Sequence, residues 1–356
     1  GHCQRCPASF YRETCDGGGS SSESTDVGNT NNGDTENQNS DETENGETSG
    51  DASAAGLLSD DIEAKNAAQP ADDGANDGDA IAPVTEGESA YEISSGADLN
   101  TKLLSEGLRD GNGAATFKLT ADIDYNDEIR LENADINIIL DLNGFKIKHD
   151  SNAKPLFDVA NGATFTVVDS AAGKETVDEG QQLQDQGEKL TTDNYGKTAT
   201  MSYDNDSIPT CLTYYVTKSS PNGTRTTESL VKHDIEIKGA IVACGGSNSL
   251  KLINIYDGGH FSLESGVLTQ KKDCSVRNLV YAVNNSTVNM NGGYVCGGYC
   301  PNDAAGAGIS VENSTLSISD GAVAGNRAPS GGGVYAKDSK VTVSGGVISG
   351  NSTLNN

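Results

Sequence analysis

Basic residues, large aromatic residues and long apolar runs are all scarce in this chain. Its 356 residues include no Trp and only 6 Phe, and 24 Lys and Arg are opposed by 52 Asp and Glu, for a formal net charge of −28. Phosphate contacts would be made against this repulsive field, so nucleic acid is excluded as a predicted partner. Because no run of about 18 apolar residues occurs, no membrane-spanning helix is predicted.

The acidic residues are concentrated near the N-terminus. Residues 17–90 contain 18 Asp and Glu and one lysine, Lys65, in a background of Ser, Asn, Thr and Gly. Such a segment cannot bury enough apolar surface to offset the entropy of ordering it. We therefore predict a disordered acidic tether between a short Cys-containing segment, 1–16, and a folded region, 91–356. The chain begins without Met and ends within a repeating pattern, which predicts a processed chain or a fragment.

The C-terminal region repeats with a period of about 27 residues. Related segments begin at Phe261 (FSLESGVLTQ), Val288 (VNMNGGYVCG), Leu316 (LSISDGAVAG) and Val341 (VTVSGGVISG), and a weaker copy begins at Ile235 (IEIKGAIVAC). Each strong copy follows a second short run and a polar turn, so every unit consists of strand, turn, strand, glycine bend and strand. The two-residue apolar period excludes a helical solenoid.

The constant order of strands favours a parallel β-helix over an antiparallel sandwich, because stacked coils place identical positions above one another. Stacking predicts two inward apolar columns, a column of bend glycines with positive φ, and Asx residues in the turns. The first apolar column is Phe261, Val288, Leu316 and Val341, and the second is Leu263, Met290, Ile318 and Val343. The bend glycines are Gly266, Gly293, Gly321 and Gly346. The turn residues are Asn285, Asn313 and Asp338.

Two other segments differ from the coils. The stretch SSGADLNTKLLSEGLRDGNG places Leu99, Leu103, Leu104 and Leu108 on one helical face, with Ser95 as N-cap. This pattern predicts a helix over about 95–109 that caps the open end of the solenoid. A polar insertion at about 174–231 is too long for one coil, and we predict that it projects as a hairpin-bearing loop. Regular coils are predicted over about 235–356.

The segments YEISSGADLNTKLL, FKLTADIDY, IILDLNGFKIKHD and ATFTVVDSAAG, together with the glycine-rich coils, carry a family resemblance. From about Tyr91 to Asn356 the chain resembles right-handed parallel β-helix proteins of the pectin lyase-like superfamily, in particular adhesin-like surface proteins of Gram-positive gut bacteria. The resemblance implies an all-β, right-handed parallel β-helix and an extracellular location, secreted or on the cell surface. It leaves function open, because the superfamily includes lyases, hydrolases and non-catalytic adhesins.

The acidic residues of the coils do not form an obvious catalytic pattern. Glu264, Glu312, Asp320 and Asp338 do not recur two or three to a face, as the paired acids of the hydrolases would. We therefore predict a non-catalytic, adhesin-like module that binds an extracellular glycan or protein surface. The alternative is a fragment of a polysaccharide lyase or glycoside hydrolase. Convergence of three or more carboxylates, or of a carboxylate with Arg or Lys, in one groove would contradict the adhesin prediction.

Few side chains stand out as site candidates. Tyr294, Tyr299 and Tyr335 are predicted ligand-binding platforms, because exposed aromatic rings stack on sugars. Cys296 and Cys300 flank a glycine-rich bend and are disulfide candidates, whereas the pairing of Cys211, Cys244 and Cys274 stays open. Cys3, Cys6 and Cys15 with the adjacent His2 are a poor zinc set, so neither metal nor cofactor is predicted.

Overall fold

The computed structural model describes residues 90–106, 113–182, 199–222, 225–246, 249–302 and 305–354. The predicted Cys-containing segment and the predicted tether up to residue 89 lie outside these described residues. Strands are numbered below in chain order. Most of them belong to three parallel stacks, which we call the first, second and third sheets.

The first sheet contains β1 (Tyr91–Ile93), β2 (Ala115–Leu119), β5 (Asn137–Asp141), β8 (Thr164–Val168), β15 (His260–Leu263), the first halves of β18 (Thr287–Cys296) and β20 (Thr315–Ala324), and β23 (Lys340–Val343). The second sheet contains β3 (Ile123–Asp124), β6 (Lys146–His149), β13 (Ala240–Ala243), β16 (Val267–Gln270), the second halves of β18 and β20, and β24 (Val347–Ser349). The two sheets join where β18 and β20 run through both.

The third sheet contains β4 (Ile129–Leu131), β7 (Phe157–Val159), β14 (Lys251–Ile255), β17 (Asn278–Val283), β19 (Ile309–Glu312) and β22 (Val334–Lys337). A short parallel pair, β21 (Arg327–Ala328) with β25 (Ser352–Thr353), adds a corner to the last coils. Successive coils pair in parallel, and the chain winds through about 8 turns. The predicted right-handed parallel β-helix is confirmed.

The predicted inward columns form the core. Phe261 lies in register with Val288, which pairs with Leu316 and then Val341, and the next column follows the same order. All these side chains are buried except those of the last coil, Val341 and Val343, which are 40% and 49% exposed. No described coil stacks upon that pair.

The glycine bends also follow the prediction. The φ angles of Gly293 and Gly321 are 68° and 80°, values that residues other than glycine rarely adopt. A Cβ added to Gly321 would lie 2.2 Å from the carbonyl oxygen of Gly293 in the coil below. Both backbone conformation and close stacking therefore require glycine at this corner.

The capping helix is α1 (Gly96–Glu106). Ser95 caps it, with its Oγ accepting a hydrogen bond of 3.1 Å from the backbone N–H of Asp98. Leu99 and Leu103 are fully buried in the solenoid core, but Leu104 is 38% exposed, so its predicted place on the buried face is wrong. Leu108, the fourth leucine of the predicted face, lies outside the described residues. Within the described residues, no helix is long and apolar enough to cross a membrane.

The insertion forms a four-stranded antiparallel sheet. Its strands, in spatial order, are β10 (Thr200–Tyr203), β11 (Pro209–Asn222), β12 (Arg225–Glu236) and β9 (Glu175–Gln182). The predicted hairpin is present as β11 and β12. Apolar residues of the insertion, including Ile208, Leu212 and Tyr214, pack onto the outer side of the second sheet in a separate hydrophobic core.

The first half of the weak repeat copy, which begins at Ile235, does not form a strand of the coils, so this part of the prediction is wrong. Ile235 lies in β12 and pairs with Leu212 of the insertion instead of entering the first sheet. The second half of that copy, Ala240–Ala243, does form a coil strand, in register with Val267–Gln270. The alternation of Ile235 and Ile237 suits either sheet, and packing on the second sheet decides between them.

Candidate functional site on the third sheet

The first of the predicted ligand-binding tyrosines, Tyr294, belongs to the second core. It lies half-buried on the outer side of the second sheet, and its hydroxyl is 3.5 Å from Glu175 Oε2 of the insertion. Burial, with a further contribution from Glu175, raises the pKa of Tyr294 above its ordinary value. The ring therefore packs beneath the insertion and presents no open platform.

The other two tyrosines lie apart from Tyr294 and from each other. Tyr299 is 36% exposed and follows β18, with the guanidinium carbon of Arg327 5.9 Å from its ring centre. Tyr335 is half-buried in β22 of the third sheet. The structure thus distributes the three predicted rings over different faces.

The structure places the two disulfide candidates, Cys296 and Cys300, in different clusters. Cys296 is a free, fully buried thiol in the second core, where burial raises its pKa to about 12. Cys300 follows the bend at Gly297 and packs in another cluster with Ala307 and Ala328. The bend separates the two side chains into different apolar environments.

A continuous row of side chains runs along the outer side of the third sheet. Strand register places each member directly beside the next in the neighbouring coil, at steps of ~4.8 Å. We call it the third-sheet row, and it consists of Arg130, Asp158, Asn254, Tyr281, Ser310 and Tyr335. The described apolar residues of the insertion pack on the second sheet instead.

A cluster of charged groups surrounds the start of the row. Arg130 Nε donates to Glu128 Oε2 at 2.7 Å, and Asn254 Nδ2 donates to Asp158 Oδ1 at 2.6 Å. Glu128 and Asp158 are within hydrogen-bonding reach of each other. Although Asp158 points away from the solenoid core, it is only 6% exposed, because its neighbours cover it.

The two carboxyl groups differ in their proton affinity. Burial raises the pKa of Asp158 to about 7, with Glu128 adding to the rise and Asn254 opposing it. For Glu128, burial also favours the neutral form, but hydrogen bonds from Asp158 and Arg130 outweigh it and lower its pKa. The pair therefore holds one proton between two carboxyl groups below neutral pH, with Asp158 as its carrier.

Further polar groups extend the cluster. The hydroxyl of Tyr256 donates to Glu132 Oε1 at 2.5 Å. Glu132 is a third carboxylate whose charge, like those of Glu128 and Asp158, raises the pKa of Arg130. On the other side, Lys154 Nζ is 2.6 Å from Asp127 Oδ1. This ion pair lines an open cleft of about 890 Å³ between the start of α1 and the loop after β3.

An aromatic group lies in the middle of the row. Lys251 Nζ is 3.8 Å from the ring centre of Tyr281 and covers one face of it. Burial, and secondarily the nearby Arg277, lowers the pKa of Lys251. One face of Tyr281 is thus held by a cation, which fixes the ring in position.

Pattern analysis missed Tyr281 because of the length of one turn. A constant spacing of five residues between the end of each preceding run and the next repeat start would place Ala282 level with Ser310. The structure instead pairs Tyr281 with Ser310, because the turn after β17 is one residue longer than the turn after β19. The shared triplet Val-Tyr-Ala at 280–282 and 334–336 was a signal that could have identified Tyr281.

Asp158, Glu128 and Arg130 were missed for another reason. They lie in early coils that match the 27-residue repeat poorly, and the insertion separates all three of them in sequence from Asn254. Their convergence depends on stacking, which spacing alone does not reveal.

The site combines hydrogen-bond donors and acceptors with an ordered aromatic ring, a set suited to hydroxyl-rich ligands. Among the residues that the structure describes, no group of three or more His, Cys, Asp or Glu is arranged to hold a metal ion. Comparison with family models, curated proteins and solved structures finds no match for this chain. The superfamily named above therefore stays a prediction.

Proposed function

We propose that this β-helix is a non-catalytic, adhesin-like module, secreted or displayed at the cell surface, which binds an extended glycan along the third-sheet row. The register of Asp158, Asn254 and Tyr281 carries the proposal. Their step of ~4.8 Å is comparable to the advance of an extended glycan from ring to ring. Each sugar would meet one coil, as expected for a repeat protein that uses an extended surface.

The spacing of the carboxyl groups supports binding over hydrolysis. Glycosidases hold their two carboxyl groups about 5 to 9.5 Å apart, so that a sugar or a water fits between them. Glu128 and Asp158 are within hydrogen-bonding reach of each other. In this arrangement the pair is suited to hydrogen bonding with the hydroxyl groups of a sugar.

A second candidate function is hydrolysis of a polysaccharide. The observation that favours it is the convergence of Glu128, Asp158 and Glu132 around Arg130. This is the arrangement that is expected of the enzyme and not of an adhesin. In that case Asp158, which retains its proton near neutral pH, would donate it to a leaving oxygen. A substrate would first have to separate Asp158 from Glu128.

Glycan arrays with the whole chain, followed by calorimetric titration of the best ligand, test the binding proposal. We expect Tyr281→Ala and Asn254→Ala each to weaken binding about tenfold, the loss of roughly 1.4 kcal/mol. Tyr299→Ala is the matched control, because it removes an exposed tyrosine away from the third sheet. Equal losses for Tyr281→Ala and Tyr299→Ala, or no glycan bound at all, would contradict the proposal.

The same preparations decide between the two candidates. Under the binding proposal, incubation with pectin, alginate or host glycans releases no reducing ends or unsaturated products. Release that is abolished by both Asp158→Asn and Glu128→Gln, with binding retained, would establish hydrolysis in its place.

A further inference from the structure

Two cysteines lie close together at the corner between the second and third sheets. Cys244 comes directly after β13, and Cys274 follows β16 in the next coil, which pairs with β13 in parallel. The backbone N–H of Lys271 donates to the Ala243 carbonyl at 2.8 Å, and the N–H of Cys274 donates to the Lys271 carbonyl at 3.3 Å. This tight turn brings Cys274 back over the preceding coil.

The contact between the two residues is direct. Cys274 Sγ lies 2.8 Å from the carbonyl oxygen of Cys244. With standard bond lengths this leaves the two Cα atoms no more than about 8 Å apart, whereas a disulfide usually spans about 4.4–6.8 Å. Both residues are half-buried free thiols. Joining the sulfurs therefore requires side-chain rotation and, if the Cα atoms lie at the upper bound, an approach of the turn by about 1 Å.

We propose that Cys244 and Cys274 form a disulfide that links two successive coils of the solenoid. The oxidant is a small-molecule disulfide such as oxidised glutathione. One protein thiolate attacks it and releases one reduced thiol. The second protein thiolate then attacks the mixed disulfide and releases the second reduced thiol. Two electrons pass from the protein to the oxidant, and the two thiol protons end on the released thiols.

The surroundings of the two sulfurs set their reactivity. Burial raises the pKa of Cys244 to about 11, and Cys274 adds to the rise. Burial raises the pKa of Cys274 as well, and the ammonium of Lys271 opposes the rise at both thiols. Either thiol can therefore make the first attack. Because both thiols are protonated at neutral pH, the bond forms faster as pH rises.

The bond would join the solenoid at the edge of the insertion. The backbone N–H of Lys272, within the same turn, donates to the Ser207 carbonyl of the insertion at 3.0 Å. The side chain of Cys244 packs at the border of the second core. Closing one entire coil here would stabilise the surface on which the four-stranded sheet rests.

Oxidation followed by mass spectrometry tests the proposal on the whole chain. The protein is incubated with oxidised glutathione at pH 8.5, remaining thiols are blocked with N-ethylmaleimide, and the chain is cut with trypsin. Residues 239–251 and 273–277 each hold one cysteine, and we expect them as one linked species. Recovery of both peptides in alkylated form, or linkage of either to another cysteine, would overturn the proposal.

Thermal melting supplies the second measurement. Oxidation should raise the Tm of the wild type by about 5–10 °C. Cys211→Ser, the matched control with one thiol fewer, should keep this rise, whereas Cys244→Ser and Cys274→Ser should lose it. Each variant melts under reducing conditions as well, which shows that it folds. A rise that persists in Cys244→Ser or is absent from Cys211→Ser would contradict the assignment.

Discussion

Asp158 accepts a hydrogen bond of 2.6 Å from Asn254, a residue 96 positions later in the chain. The two residues are nevertheless neighbours in adjacent coils of the third sheet. The whole insertion is accommodated between them without disturbing the stack. This contact keeps a nearly buried carboxyl group on the outer side of the solenoid and sets the character of the candidate site.

The first prediction concerns pH. Asp158 has a pKa of about 7 in the folded chain and 3.8 as the ordinary value. The folded state therefore binds more protons between these values, so this group's stabilising contribution is complete below about pH 4 and disappears as pH rises through about 7. Glu128, whose pKa is lowered from the ordinary value of 4.5, acts in the opposite direction, but only as pH falls below that value, and so leaves the effect of Asp158 intact between about pH 4.5 and 7.5.

Urea unfolding at pH 4.5 and pH 7.5 measures this effect. Asp158→Asn, which resembles the protonated carboxyl, should remove most of the pH dependence and be more stable than the wild type at pH 7.5. Asp124→Asn is the control, since Asp124 lies outside the cluster in an exposed ion pair with Lys148. The prediction fails if Asp158→Asn keeps the slope of the wild type.

The second prediction concerns the glycine corners. Gly321→Ala should destabilise the fold by about 3 kcal/mol or more, because it combines positive φ with a collision against the Gly293 carbonyl. Gly258→Ala is matched in φ, at 81°, but an added Cβ there meets nothing within 4 Å, so about 1 kcal/mol is expected. Urea denaturation gives both values. Equal losses would show that backbone strain alone, and not coil stacking, requires glycine.

The third prediction concerns the insertion. Leu212 is fully buried between the insertion and the second sheet, so Leu212→Ala should cost about 2–5 kcal/mol. Val177, on a strand of the same insertion sheet, is 48% exposed, and Val177→Ala should cost less than about 0.5 kcal/mol. Calorimetry of the two variants makes the comparison. Similar small losses at both positions would mean that the insertion does not pack on the solenoid.

The fourth prediction uses two members of one column. Met290 is buried and Val343 is 49% exposed, although both occupy the same inward position of the repeat. Met290→Ala should lower the free energy of unfolding by about 2–5 kcal/mol, and Val343→Ala by well under 1 kcal/mol. Chemical denaturation of both variants measures the difference. A large loss from Val343→Ala would show that another surface covers the last coil.

Much of the fold was predictable from particular residues. Phe261, Val288 and Leu316 recur at nearly constant spacing, and a column of inward side chains is the direct consequence of that spacing in a stacked solenoid. Gly293 and Gly321 were equally informative, because few physical situations other than positive φ and close backbone approach require glycine. Ile235 was misassigned, since an alternating pattern does not specify which sheet a strand joins.

The candidate site was much less predictable. Tyr335 was recognised but Tyr281 was not, because a single additional turn residue shifts the register by one position. Cys296 and Cys300 are close in sequence but separated by a bend. Cys244 and Cys274 are distant in sequence but in contact. Sequence separation is a poor guide wherever a whole coil, or an insertion, lies between two neighbours.

The sequence by itself determined the architecture: a short apolar period with recurrent glycines and Asx turns permits stacked parallel coils and little else. The tertiary structure decided the chemistry. It laid the described strands of the insertion on the second sheet, left Asn254, Tyr281 and Tyr335 of the third-sheet row partly exposed, and buried Asp158 beside Glu128. The physical reason is that local backbone preferences act within a few residues, whereas burial and electrostatic contact depend on which coils and faces are brought together.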